Sequence, residues 1–168
     1  MPRKWNPREM RLVSEYLAEN YPHAVTMQRV RLGTVPEELI IPGMEEAEIR
    51  MLTVYKRYAD ALVILPDELI LIEAAILPDL GDISKLLAYE ILLYNTPELK
   101  EYLDRPVTKQ LVYAIRDDLI VMLAHRSGIV PVQFSPPWIK DYLKELYGYV
   151  QKKRRAPLPP TSLEEVVE

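Results

Sequence analysis

Asp60 and Glu73 are the residues whose types and spacing could do chemistry together. The runs Arg57 to Leu65 (RYADALVIL) and Leu69 to Ala75 (LILIEAA) both read as strands, and Pro66-Asp67 between them is a turn pair. If that pair is a two-residue loop, Leu65 faces Glu68 and Asp60 falls directly opposite Glu73. Opposed side chains share a face, with Cβ atoms about 4.5–5.5 Å apart. Leu62, Ile64, Leu69 and Leu71 line the same face, so the acidic pair would end an apolar strip. Two carboxylates that close repel unless a cation lies between them or one is protonated. Such a pair is costly without a purpose, and the chemistry it suits is holding a metal ion. A slip of one residue in register would separate the acids. The plain alternative is two solvated acids at strand ends.

Other chemistries find less support. There is no cysteine, which excludes disulfides and thiolate zinc sites. The two histidines, His23 and His125, are far apart in sequence, so a histidine zinc site is not expected. His125 fits a cation near the C-terminus of a helix, where the helix dipole favours it. His23 follows Pro22 in a turn. With five glycines in the whole chain there is no glycine-rich phosphate loop, and the serines form no nucleophile elbow. Carboxylates are therefore the only plausible metal ligands.

The elements that must position the pair follow from periodicity and breakers. Residues 7–20 read as a helix with Pro7 in its first turn, ended at Asn20-Tyr21-Pro22. Residues 24–33 alternate as a strand closed by Gly33, and residues 34–48 read as an acidic loop with one short helical turn. Residues 49–65 are strand-like, most strongly from Arg57. After the hairpin, Asp82 is expected to cap a helix running to about Asn95, with Ile83, Leu86, Leu87, Ile91 and Tyr94 as its apolar stripe. A short turn at 98–103, a strand at 106–115, a helix at 117–127 ended by Gly128, and a strand from Ile129 to Phe134 follow. A helix at 138–150 carries Trp138, Tyr142, Leu146 and Tyr149 on one side. The order predicts an α/β fold: a mixed sheet with helices packed on it.

That order, together with Arg57-Tyr58-Ala59-Asp60-Ala61, Leu71-Ile72-Glu73-Ala74-Ala75 and Lys85-Leu86-Leu87-Ala88-Tyr89, resembles the PD-(D/E)XK nuclease superfamily. The resemblance covers roughly residues 8–115. It implies a restriction-endonuclease-like αβββαβ core with extra C-terminal helices and Mg²⁺- or Mn²⁺-dependent hydrolysis of DNA. Asp60 and Glu73 would be metal ligands, helped by the carbonyl of Ala74 or Ala75. Glu15 or Glu9 would be an additional acid, and Tyr89 matches the helix motif. One departure stands out. The family's motif lysine is Ala75 here, and Lys85 occupies the helix position where glutamine is usual. Lys85 lies one turn before Tyr89 on the same side of the helix, which makes it the candidate surrogate. The other reading is a catalytically inactive descendant serving as a structural or adaptor protein, for example of a virus particle or mobile element.

Length and charge bound these readings. The 168 residues fit one domain over 1–150 and a flexible tail over 151–168. The net charge of −4 argues against a general nucleic-acid binder, yet Arg3, Lys4, Arg8 and Arg11 and the run Lys152 to Arg155 are locally basic. Glutamates are dense over 37–48. Fifteen prolines, with few Asn and Gln, fit a thermophilic source. No apolar run is long enough to span a membrane, and the basic start has no apolar segment behind it. A cytoplasmic protein is expected, or a virion component on the second reading. The expected partners are DNA, and a second copy or another protein bound through the termini and the C-terminal helix. The aromatic side of that helix reads as packing first and base stacking second. Pro157-Leu-Pro-Pro160 reads as a linker first and a docking peptide second.

Overall fold

The hairpin forms with the register its turn predicts. In the computed structural model, which describes residues 7–52 and 57–155, β2 (Arg57–Ile64) and β3 (Leu69–Ala75) are antiparallel. They pair as Ile64↔Leu69, Val63↔Ile70, Leu62↔Leu71 and Ala61↔Ile72. Leu65 N–H donates to the Glu68 carbonyl at 3.0 Å and closes the loop.

Around this hairpin the chain builds a five-stranded mixed sheet in the order β1-β2-β3-β4-β5. β1 (Val25–Leu32) pairs antiparallel with β2, while β4 (Val107–Tyr113) and β5 (Ile129–Gln133) extend the sheet in parallel. Parallel strands need crossovers. Helices α3 (Leu80–Tyr94) and α4 (Asp118–Arg126) supply them. Every residue of β3 is buried, as expected of a central strand covered on both faces. On one face Ile83, Leu86 and Leu93 of α3 and Ile120 and Ala124 of α4 pack on Leu62, Leu69, Leu71 and Leu111. Helix α1 (Pro7–Asn20) buries Leu12, Val13, Tyr16 and Leu17. It is tied to the sheet by Tyr16 Oη donating to Gln110 Oε1 at 3.0 Å and Ser14 Oγ donating to Gln28 Oε1 at 2.8 Å. Pro131 is tolerated in β5 because that strand is an edge. Gly33, at φ 84, turns the chain after β1, and its N–H donates to Thr96 Oγ1 at 2.8 Å. The fold is mixed α/β, and over Pro7–Tyr113 the main elements follow the predicted α-β-β-β-α-β order with a short helix, Glu46–Met51, inserted between β1 and β2.

Three local expectations are corrected. The strand expected from residue 49 begins at Arg57, and Glu46–Met51 is helix α2. Its glutamates Glu46 and Glu48 sit in a first turn, where the helix dipole favours acids, and Glu48 Oε2 accepts the Glu45 N–H at 2.8 Å. The N-cap of α3 is Asp79, not Asp82. Asp79 accepts from Gly81 N and Asp82 N, while Asp82, at N3, returns a hydrogen bond to the Asp79 N–H at 3.0 Å. Two aspartates three apart both fit a cap, and only the path of the chain out of β3 selects between them. Of the stripe expected on α3, Ile83 and Leu86 are buried, but Leu87, Ile91 and Tyr94 are exposed. The buried face is Asp82, Ile83, Leu86, Tyr89 and Leu93. The helix is apolar around much of its circumference, so periodicity alone does not choose the face.

The chain divides into two compact units, Met1–Ser135 and Pro136–Glu168. In the second, α5 runs over Trp138–Arg155, longer than expected, with Leu146 and Tyr147 exposed. Arg3 and Lys4, the side chains of Tyr149 and Lys152 to Arg155, and the stretch 157–160 lie outside the described residues. No described helix is long and apolar enough to cross a membrane.

Candidate active site

The β2–β3 ladder ends at Ala61↔Ile72, one position short of Asp60 and Glu73. Beyond that point a side chain replaces the backbone acceptor: Asp60 Oδ2 takes the Ala74 N–H at 2.9 Å. The ladder is also interrupted on the other side of Asp60. β1 and β2 pair at Gln28↔Ala61 and Val30↔Ala59, but not at the intervening Arg29 and Asp60. Arg29 has φ 53, in the left-handed region, which costs a non-glycine residue of order 1–3 kcal/mol. The kink resets the alternation of β1. Met27 and Val30, an odd and an even position, both pack against the core shared with α3. Asp60 thus stands between two gaps in the sheet, half-buried and held by a backbone amide.

Glu73 is fully buried. A carboxylate taken out of water needs a partner, and Lys85 provides it from the second turn of α3. Lys85 Nζ lies 2.9 Å from Glu73 Oε1 and 2.6 Å from Asp82 Oδ1. Burial by itself lowers the Lys85 pKa, but the Glu73 charge and the hydrogen bonds to Asp82 and Glu73 outweigh it and hold the pKa above the ordinary lysine value. Lys85 is therefore a cation at neutral pH. Ala75, where the resemblance asks for lysine, is buried at the end of β3. The charge that strand position lacks enters the same region from the helix. Asp82 serves both partners: one oxygen accepts from the Asp79 N–H and completes the cap, the other accepts from Lys85. Tyr89, one turn beyond Lys85, is buried in the core cluster.

Glu73, Lys85 and Asp82 form one connected cluster. Asp60 joins the same strand end through Ala74, next to Glu73. Glu15 lies on α1 and accepts from Arg11 Nε at 2.7 Å, an exposed pair one turn apart. Glu9 is in the first turn of the same helix. Among the described residues no three His, Cys, Asp or Glu side chains converge closely enough to hold a metal ion. The donors at hand are the carboxylates of Asp60 and Glu73, hard oxygens of the kind Mg²⁺ takes in ones and twos while keeping its waters. His125 is exposed in the last turn of α4, and His23 is exposed after α1.

Asp82 and Arg29 were not legible as site residues. Asp82 carried one usable signal, its position three before Lys85 on a helix, the spacing of an ion pair. Arg29 carried none, because a left-handed strand residue leaves no mark in sequence unless it is Gly or Asn.

No protein-family model matches the chain, and no curated protein matches it. Among solved structures it is similar to a repair endonuclease from Pyrococcus abyssi, at 16% identity and a TM-score of 0.47, over 82% of this chain and 50% of that one. It is also similar to EndoMS in its complex with double-stranded DNA, at 18% identity and a TM-score of 0.46, over 76% of this chain and 44% of that one. A Vibrio cholerae protein matches at 14% identity and a TM-score of 0.40, over 84% of this chain and 32% of that one. The chain spans half or less of the length of these structures.

Proposed function

We propose that the protein is a nuclease-like DNA-processing enzyme that hydrolyses phosphodiester bonds with Mg²⁺ or Mn²⁺. Asp60 and Glu73 are its acidic ligands and Lys85 is its site cation. The observation that carries this reading is the 2.9 Å contact of Lys85 Nζ with Glu73 Oε1, made from a helix and not from the strand. The bound metal would polarise the phosphodiester and lower the pKa of an attacking water. The chain's own residues divide the remaining work. The Ala74 N–H fixes the Asp60 carboxylate. Lys85, protonated at rest, offsets phosphate charge and orients water instead of acting as a base. Asp82 holds Lys85 in place. Glu73 is fully buried, and removal from water strengthens the charge interactions it makes.

A cleavage assay on plasmid and oligonucleotide DNA with Mg²⁺ or Mn²⁺ tests the reading. Wild type cuts, Asp60→Ala and Glu73→Ala abolish cutting, and Lys85→Ala lowers the rate by about 100-fold or more. Wild type and variants that behave alike across DNA substrates sink it.

One observation favours a second reading, in which the fold is a catalytically inactive structural or adaptor module. Lys85 already bridges Glu73 and Asp82 as their shared ionic partner. On that reading Mn²⁺ does not bind by calorimetry, no DNA is cut, and the protein has the mass in solution of a ring or a tight partner complex.

A further inference from the structure

Helix α3 carries its charges on the inside. Asp82 and Lys85 enter the cluster at Glu73, and Glu90 Oε2 accepts from Lys109 Nζ on β4. None of the residues that α3 exposes is charged. Four of them, Leu80, Leu87, Ile91 and Tyr94, are large, apolar and 38–65% exposed. Helix α1 shows the ordinary arrangement, with Arg8, Arg11 and Glu19 outward. A helix that is apolar all round belongs in an interior, yet α3 is covered on one side only. The exposed residues are also patterned. With Ser84 they fall at 80, 84, 87, 91 and 94, the 4-3-4-3 spacing of heptad a and d positions. At 3.6 residues per turn these five lie within about 80° of the circumference, so they form a seam along the helix.

We propose that α3 is a dimerisation helix: two copies of the chain pack their α3 seams against each other across a two-fold axis near Leu87. An a/d seam is the pattern that packs knobs into holes against its own copy. A two-fold interface sets a patch against itself, and this patch has no charge to oppose its own like. A partner chosen by ion pairs finds none to make here. The area is also of the right order. A large side chain carries about 200 Å², so the four, with Leu77 just before the helix, present roughly 500 Å². Leu119 and Met122 are exposed on α4, which packs beside α3 on the same side of the sheet. Together they approach the about 800 Å² that each partner buries in a specific dimer. Asp82 and Lys85 point away from the seam, so pairing leaves the Glu73 cluster uncovered. The pairing requires neither reading of the function.

Sedimentation equilibrium of the full chain across a concentration series tests this. Wild type has twice the chain mass. Leu87→Glu/Ile91→Glu places four carboxylates in the seam of a pair, and it has the mass of one chain with the wild-type far-UV circular dichroism. The chain has no cysteine, so a single introduced one gives a second measurement. Mild oxidation links Leu87→Cys into a covalent dimer but does not link Ala18→Cys, on the exposed side of α1. A wild type that is monomeric throughout leaves the seam to another part of the chain or to a foreign partner, and overturns the inference. So does a double-glutamate variant that still pairs, or a Leu87→Cys protein that stays unlinked.

Discussion

The two ends of the β2–β3 hairpin are built on opposite terms. At the turn end, Ile64↔Leu69 and Leu62↔Leu71 pair in unbroken register, and all four side chains enter the main core. At the open end the ladder stops, a carboxylate takes over an amide, the neighbouring strand kinks at Arg29 and a glutamate is buried against a lysine. One end is stabilised by apolar area and backbone pairing. The other spends some of that stability on holding charged groups in fixed places. Strain and buried charge of this kind persist only where surrounding structure over-determines them, and the regular end is what does so here.

Substitutions separate the two ends. The largest effect falls at the regular end: Leu71→Ala removes a fully buried side chain and lowers stability by about 2–5 kcal/mol, measured by denaturant unfolding. At the open end, Lys85→Met leaves Glu73 buried without its cation and costs about 3 kcal/mol. A Glu73→Leu/Lys85→Met double variant regains most of that loss while remaining inactive. If the double variant is no more stable than Lys85→Met, the buried pair is not the source of the cost. Asp60→Ala strips the Ala74 N–H of its acceptor and costs about 1–3 kcal/mol. The Ala74 amide then exchanges faster with solvent while the amides of Leu62 and Leu71 keep wild-type protection.

The smallest effect is on alkaline stability. Tyr16 is raised above the ordinary tyrosine value, first by burial and then by Tyr21, and Lys85 is raised by its acids. In both, the protonated form is favoured by folding, so their contribution is complete below about pH 10 and is lost as the pH rises through the folded values. Tyr16→Phe and Lys85→Met each make the fall in stability above pH 10 shallower. A curve of unchanged steepness in Tyr16→Phe removes Tyr16 from that account.

Much of this was readable from residue order, for identifiable reasons. Pro66-Asp67 permits so short a loop that the register of the hairpin follows from it, and β2 and β3 alternate or run apolar as strands must. The helix over 7–20 was legible from the spacing of Met10, Val13, Tyr16 and Leu17 between Pro7 and Pro22. The start of β2 was not, because Ile49 to Met51 is apolar enough for either state and the glutamates before it tip it to helix. The face of α3 was not legible either. Leu87, Ile91 and Tyr94 are as apolar as Ile83, Leu86 and Leu93, and which set meets the sheet depends on the angle at which Asp79 starts the helix.

Sequence by itself determined the hairpin, its register, the α-β-β-β-α-β order and the choice of carboxylates over cysteine or histidine as candidate ligands. All of these are local, set by turn chemistry, periodicity and composition. Tertiary structure alone decided that Asp60 sits in a double gap of the sheet, that Glu73 is wholly buried, and that Lys85 and Asp82 come from the next helix to meet it. Those facts depend on how α3 lies across β3 and how β1 kinks at Arg29. Contacts between elements distant along the chain are fixed by packing, which no short stretch of residues encodes.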